Sequence, residues 1–206
     1  MEKVLDVYKR PYDKHFPVVC YDEMPRQLIG ESRPAEPMIS GHPERVDYEY
    51  VRNGTCNVLM AIEPLGGRRI AEVSKTKTAK DWALFTEKLI AAYPEAQKII
   101  LVQDNLNTHK AASWYTYFPP ARAKALMDKV EFVYTPKHGS WLNIAEIELN
   151  VLSGQCLKRR IGDIETMEKE VAAWMKYRNN LNRTIDWQFS AENARIKLKR
   201  IYPNLE

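Results

Sequence analysis

The 206-residue sequence has few cysteines, and none of them belongs to a recognisable pair. Cys20, Cys56 and Cys156 are odd in number, lie far apart and never form a C-x-x-C motif. This pattern supports neither a disulfide framework nor a structural zinc site. We therefore interpret the three thiols as small apolar side chains of the core.

Long apolar runs are also missing from the sequence. No stretch approaches the roughly 18 apolar residues that a membrane span requires, and residues 1–14 lack the apolar segment of a secretory signal. Hydrophobic residues at 45% and charged residues at 28% exclude a disordered chain. The sequence predicts a cytoplasmic protein of one domain, residues 1–206, without a membrane partner.

A strong excess of one charge is absent as well, because 31 Lys and Arg face 27 Asp and Glu, for a net charge of +4. That charge is too small to identify a nucleic-acid partner by itself. Basic residues do form groups, which either are solvated faces or, if they border one site, form a DNA track. The groups are Lys75, Lys77 and Lys80; Arg122 and Lys124; Lys158, Arg159 and Arg160; and Arg195, Lys197, Lys199 and Arg200.

The order of predicted elements indicates an α/β fold. Strands are predicted at 16–21, in several runs between 47 and 74 with a hairpin at Gly66-Gly67, at 98–102 and at 131–134. Helices are predicted from Thr78, whose partner Asp81 forms a capping box, to Tyr93, from Lys110 to Lys129 with a break at Pro119-Pro120, and at 142–160, 164–180 and 191–201. We therefore expect a mixed sheet flanked by helices.

One stretch, from Met24 to Val46, is rich in proline and fits neither a strand nor a helix. Its four prolines and two glycines predict a long surface arm. Irregular loops of this length inside a domain are usually functional or disordered.

Two acidic residues, Asp22 and Asp104, each follow an apolar predicted strand. An aspartate in that position is commonly a turn former or a helix cap. It can also present its carboxylate in the crevice beyond the strand ends, where α/β sheets bind ligands. With a third carboxylate, the two would form a site for a hard divalent cation, which prefers oxygen ligands.

The predicted helix 142–160 offers Glu146 and Glu148 as the third carboxylate. Their directions differ by about 200° around the helix axis, so both cannot face one point. Glu146 aligns with Asn143 and Asn150, a plausible lining for a metal site. Glu148 aligns with Gln155 and Arg159, which is typical of a solvated face, so we choose Glu146.

Three segments make the sequence recognisable: Y-D-E at 21–23, Q-D-N-L-N-T-H at 103–109 and T-P-K-H-G-S-W-L-N-I-A-E at 135–146. Together they resemble the acidic motifs of DDE transposases, and in particular the bacterial insertion-sequence family called IS-six-thirty, which is related to the mariner transposases. The elements D-N-x-x-x-H and W-L-N-x-x-E, in this order, are more specific than three isolated acids.

This resemblance implies a ribonuclease-H-like fold with Asp22 on the first strand, Asp104 on the fourth and Glu146 on a helix after the fifth. The three would hold two Mg²⁺ or Mn²⁺ ions, with Asp22 as the bridging ligand. The implied reaction is hydrolysis of DNA at the ends of a mobile element, followed by attack of the 3′-hydroxyl on a target, typically at TA. The implied partner is DNA, bound by a homodimer to whose second subunit the arm reaches.

Residues beside these acids are further candidates for DNA binding or for support of the acids. His109 is predicted either to orient a phosphate or a water, or to be structural. Trp141 is either a DNA contact or a core residue. Glu23 is expected on the opposite strand face from Asp22 and not as a ligand. The full candidate set is Asn105, His109, Lys137, His138, Trp141 and Asn143, with Ser140 nearby.

The resemblance covers a catalytic domain, and the sequence contains no N-terminal helix-turn-helix domain of the kind such transposases usually carry. Two other functions remain open from sequence. One is a catalytically silent DNA-binding or assembly module derived from a transposase. The other is a nuclease of the same fold that cuts an RNA–DNA hybrid.

Overall fold

The computed structural model describes residues 1–43, 45, 47–107 and 109–202, and its strands form one five-stranded mixed sheet. The strands are β1 (Val18–Glu31), β2 (Tyr50–Glu63), β3 (Arg68–Ser74), β4 (Ile99–Gln103) and β5 (Val130–Tyr134). Their spatial order is β3-β2-β1-β4-β5. The pairs β1–β2 and β2–β3 are antiparallel, whereas β1–β4 and β4–β5 are parallel.

Helices cover both faces of this sheet, which confirms the predicted fold class. One face packs under α2 (Ala79–Ala91), α3 (Ala112–Tyr117) and α4 (Pro120–Lys129). The other packs under α1 (Glu2–Tyr8), α5 (Ile144–Gln155), α6 (Ile164–Asn180) and α7 (Ala191–Lys197). No helix in the described ranges is long and apolar enough to cross a membrane.

Local sequence signals placed several elements correctly. The predicted hairpin joins β2 to β3, and Gly67 adopts a φ of 68° there, in the left-handed region that favours glycine. Thr78 and Asp81 form the predicted capping box at the start of α2. Cys20 and Cys56 are buried free thiols, as expected, and Cys156 is a partly buried one.

The predicted arm from Met24 to Val46 is wrong in its first part, because β1 continues through Pro25 to Glu31. β4 pairs only with Val18, Val19 and Cys20. Beyond them β1 is an edge strand, where a proline costs no ladder hydrogen bond. The irregular connection is residues 32–49, of which Glu44 and Val46 lie outside the described residues.

The last helices also differ from the prediction in their bounds. A short 3₁₀ helix, Ser140–Leu142, replaces the predicted first turn, and α5 starts only where the Asn143 side chain accepts the Ala145 N–H. A second 3₁₀ helix, Lys199–Ile201, follows α7. The first helix of the chain, α1, was not predicted at all.

Glu148 is not on a solvated face, which corrects the sequence interpretation. It is fully buried in α5, where its carboxylate accepts hydrogen bonds from Arg69 of β3 at 2.9 Å and from Arg178 of α6 at 2.9 Å. Burial opposes its charge, but the two guanidinium groups hold the pKa of Glu148 below its usual value. The periodic pattern could not reveal this, because both arginines come from distant segments.

We predict that Glu148→Gln destabilises the chain strongly. The substitution leaves the buried Arg69 and the mostly buried Arg178 without a counter-charge, which we expect to lower the free energy of unfolding by about 3 to 5 kcal/mol. Urea unfolding followed by far-UV circular dichroism measures this. Glu168→Gln, an exposed glutamate of α6, is the control, with a change within about 0.5 kcal/mol. Equal stability of both variants would contradict the prediction.

Candidate active site

The two predicted aspartates lie at the same edge of the sheet. Asp22 stands in β1 just beyond the three residues that pair with β4. Asp104 directly follows Gln103, the last residue of β4. Because β1 and β4 are parallel where they pair, Asp22 and Asp104 both follow the paired residues on the same side of the sheet, which is where such sheets present functional groups.

Asn143 connects this edge to the helix that carries Glu146. Its side chain is buried, and its Nδ2 donates to the Tyr21 carbonyl oxygen at 2.7 Å and to Asp22 Oδ2 at 3.2 Å. Its Oδ1 accepts the Ala145 N–H at 3.2 Å. One amide therefore caps α5 and ties it to β1, so that Glu146, in the first turn, is set beside Asp22. Both polar atoms of the Asn143 side chain are thus engaged within the protein.

The Asp22 carboxylate is affected by burial and by the charges of two other acids. Burial raises the pKa of Asp22, the Glu23 N–H that Asp22 accepts lowers it, and the negative charges of Asp104 and Glu146 raise it further, to about 6. Two carboxylates can affect a third in this way only when they lie close to it. Asp104 and Glu146 thus lie within electrostatic range of Asp22.

His109 lies between two carboxylates and is 1% exposed. Its Nδ1 contacts Asp104 Oδ1, and its Nε2 lies 2.9 Å from Glu23 Oε1. Burial opposes the imidazolium, but these two partners raise the pKa of His109 to about 9. Both ring nitrogens thus contact carboxylates of the protein, and His109 orients Asp104.

Glu23 was expected to lie outside the site, but it contacts His109 and Lys77. It faces away from Asp22, as expected, but its carboxylate is buried beside His109 and accepts the Tyr21 hydroxyl at 2.7 Å, with Lys77 Nζ at 2.9 Å. Burial opposes the charge, yet these three groups lower the pKa of Glu23 to about 2. Period-2 alternation pairs Tyr21 with Glu23 on one face, a signal that was available in the sequence.

A buried glutamine, Gln103, fixes the backbone at His109. Gln103 donates from Nε2 to the His109 carbonyl oxygen at 2.8 Å and accepts the Trp82 indole N–H at 3.0 Å. The imidazole also contacts the Tyr21 ring edge-on at 5.3 Å. Thr108 of the same motif lies outside the described residues.

Three of the remaining candidates line an open cleft of about 410 Å³ beside Asp104. Asn105, Lys137 and His138 are exposed there. Trp141 is 45% exposed, so its interpretation as a core residue is wrong. His138 adopts a φ of 63° in the tight turn that leads to the 3₁₀ helix.

The basic groups divide into two kinds. In the group Lys75, Lys77 and Lys80, Lys77 lies against Glu23 and so borders the acidic site. In the other groups, several cations form ion pairs on the protein surface: Arg122 with Glu87, Arg159 with Glu170, Arg160 with Glu31, and Arg195 with Glu2.

The donor set fits a hard cation in its chemistry, since all three groups offer carboxylate oxygens and their mutual repulsion would fall beside a positive ion. Across the described ranges, however, no three His, Cys, Asp or Glu side chains form a compact group that could hold one metal ion. Asp104 Oδ1 is also engaged by His109.

A family model described as the DDE superfamily endonuclease matches residues 17–168, which include all three acids. The chain belongs to the DDE endonuclease superfamily. This match confirms, at the level of the superfamily, the resemblance to DDE transposases that the sequence motifs indicated. Among curated proteins, no sequence matches the chain.

Solved structures of Mos1 transposase share the fold of this DDE endonuclease. The Mos1 mariner paired-end complex with Mn has a TM-score of 0.59 and 19% identity, covering 88% of this chain and 54% of that one. The Mos1 strand transfer complex has a TM-score of 0.57 and 19% identity, covering 85% and 51%. The ribonuclease-H-like fold is thereby confirmed, and this chain spans about half the length of those it matches.

We predict that Asp22→Asn stabilises the metal-free protein at neutral pH. The folded chain binds the Asp22 proton more tightly than the unfolded chain, so the native state loses stability as the pH rises from 3.8 to about 6. Removing the charge should therefore raise the free energy of unfolding by up to about 3 kcal/mol at pH 7.5 and little below pH 3.8. Urea unfolding in EDTA at both pH values measures this. A gain that does not depend on pH would contradict it.

We predict that His109 stays protonated at pH 7.5. In NMR its ring resonances should titrate near pH 9, and Glu23→Gln should lower that midpoint by removing one carboxylate partner. Since its pKa is raised, the stability that His109 contributes is complete below pH 6.5 and lost as the pH passes about 9. Glu168→Gln is the control and should leave the titration unchanged. A midpoint below 6.5 would refute the imidazolium.

Proposed function

We propose that this chain is the catalytic domain of a DNA transposase, which hydrolyses a phosphodiester at the end of a mobile element and joins the freed 3′-hydroxyl to target DNA. The observation that carries the proposal is that the charges of Asp104 and Glu146 act on the buried Asp22 carboxylate, in a chain that belongs to the DDE endonuclease superfamily. The likeness to Mos1 complexes, whose names specify a transposon end and strand transfer, supports the same reaction.

Asp22, Asp104 and Glu146 would hold the divalent ions, Mg²⁺ or Mn²⁺ and two in number, with Asp22 between them. When bound, such a pair makes a nucleophile available at neutral pH and stabilises the leaving oxyanion. Three carboxylates leave part of the cationic charge for the DNA phosphate to balance, in keeping with the few protein carboxylates through which Mg²⁺ usually binds. The Mos1 mariner paired-end complex contains Mn.

The chain's own residues orient these carboxylates. Asp22 Oδ2 accepts a hydrogen bond from Asn143 Nδ2, and Asp22 Oδ1 accepts the Glu23 N–H. These two hydrogen bonds fix the orientation of the Asp22 carboxylate. His109 holds Asp104 through Nδ1 and is itself held by Glu23. Ligand carboxylates held by such outer partners keep the geometry that metal sites require.

DNA is the proposed partner, with the exposed Lys75, Lys77 and Lys80 beside the site as its first phosphate contacts. On the D-N-x-x-x-H and W-L-N-x-x-E motifs, we assign the chain to the bacterial insertion-sequence family IS-six-thirty, with insertion at TA. A homodimer assembled on DNA in the bacterial cytoplasm completes this proposal.

We predict that the chain cleaves nicked or end-mimicking duplex DNA only with Mg²⁺ or Mn²⁺. Glu146→Gln and Asp104→Asn should each reduce the rate more than about a hundredfold, because even residues that only support metal ligands cost 10- to 100-fold when changed. Glu168→Gln is the matched control and should cleave at the wild-type rate. Gel assays of end-labelled DNA give these rates.

The same assay separates the alternatives. Metal-independent binding without cleavage by the wild type would favour a silent DNA-binding module and contradict the proposal. Faster cleavage of an RNA–DNA hybrid than of duplex DNA would assign the fold to a hybrid nuclease instead.

A further inference from the structure

Trp141 differs from the other four tryptophans of the chain. In each of those four the indole N–H donates to a protein oxygen at 2.8 to 3.0 Å, and the ring is buried or partly buried. The four are Trp82, Trp114, Trp174 and Trp187. Trp141 is 45% exposed, and its indole N–H has no acceptor within the described ranges. It therefore offers both a ring surface and a free donor to a partner outside the chain.

The backbone that carries Trp141 is held in place from several directions. The carbonyl oxygen of the next residue, the buried Leu142, accepts the Tyr8 hydroxyl at 2.8 Å. The indole contacts the Phe189 ring edge-on at 5.9 Å, and the Phe189 carbonyl oxygen accepts the Trp187 N–H at 2.8 Å. An exposed aromatic ring with such support loses little freedom when it binds, which favours a contact surface.

The segment that carries this ring leads into the acidic site. Trp141 precedes Asn143 by two residues, and Asn143 Nδ2 lies 3.2 Å from Asp22 Oδ2. Leu142 packs with Val102 and Val133, near the carboxyl ends of β4 and β5. The exposed indole therefore belongs to the segment that joins β5 to Glu146, which borders the position at which the proposed function has the DNA strand cut.

We propose that Trp141 stacks on the terminal base that becomes exposed at the cut end of the DNA; this inference rests on the proposed function. Within a duplex both faces of each base are covered by neighbours, so a protein ring can stack only on an end or on an unpaired base. Hydrolysis beside the three acids creates such an end. Base–aromatic stacking tolerates any sequence, and the free indole N–H can donate to a phosphate oxygen at the same end.

The test compares two DNAs of one duplex sequence, one with an open end and one sealed at both ends by hairpin loops. Binding is measured by fluorescence anisotropy with the Asp104→Asn protein in EDTA, so that no strand is cut. We expect the open end to bind about tenfold more tightly. Trp141→Leu in the same protein should remove this preference, whereas Trp141→Phe should keep most of it. Tyr12→Leu, which changes an aromatic residue that is 57% exposed and precedes β1, should have no effect.

A second measurement does not depend on the leucine variant folding. With 2-aminopurine as the 3′-terminal base, stacking on Trp141 should quench its emission, and Trp141→Phe should quench it less. Equal binding of open and sealed DNA, or an open-end preference that survives Trp141→Leu, would overturn the inference while leaving the proposed function intact. Loss of self-association in Trp141→Leu with unchanged end preference would assign the ring to a protein contact and also overturn it. Absence of all DNA binding would overturn the proposed function itself.

Discussion

The site depends on holding three like charges together at one half-buried edge of a sheet. Burial and the charges of Asp104 and Glu146 raise the pKa of Asp22 to about 6, so folding places these groups where their electrostatics oppose it. Such an arrangement persists only because the surrounding structure fixes it. Sites that bind cations are built in this way, since the repulsion is relieved when a positive ion arrives.

Two buried polar side chains hold the acids in place, one on each side of the site. Asn143 joins the start of α5 to β1 and so couples Glu146 to Asp22. On the other side, His109 joins Asp104 to Glu23 across the loop that follows β4. Both connecting side chains are buried, where hydrogen bonds of this kind are strong and leave a single arrangement.

A separate ion-pair cluster serves the packing of the same helix. Glu148 lies two residues after Glu146 in α5 and faces the opposite way, into the contact with Arg69 and Arg178. One face of α5 therefore fixes the rotation of the helix against β3 and α6, while the other presents an acid to the site. The two glutamates look alike in sequence and have unrelated tasks.

The sequence by itself determined the order of the strands and of the helices after α1, the hairpin, the capping box of α2 and the superfamily, because these depend on local periodicity, turn chemistry and short motifs. Only the tertiary structure decided that Pro25 continues an edge strand and that Glu148 is buried. It alone also decided that Asn143 and His109 support the acids and that Trp141 is exposed. Each of these depends on partners far along the chain, such as Arg69 for Glu148 and Glu23 for His109. Local patterns carry no information about which distant groups folding brings into contact.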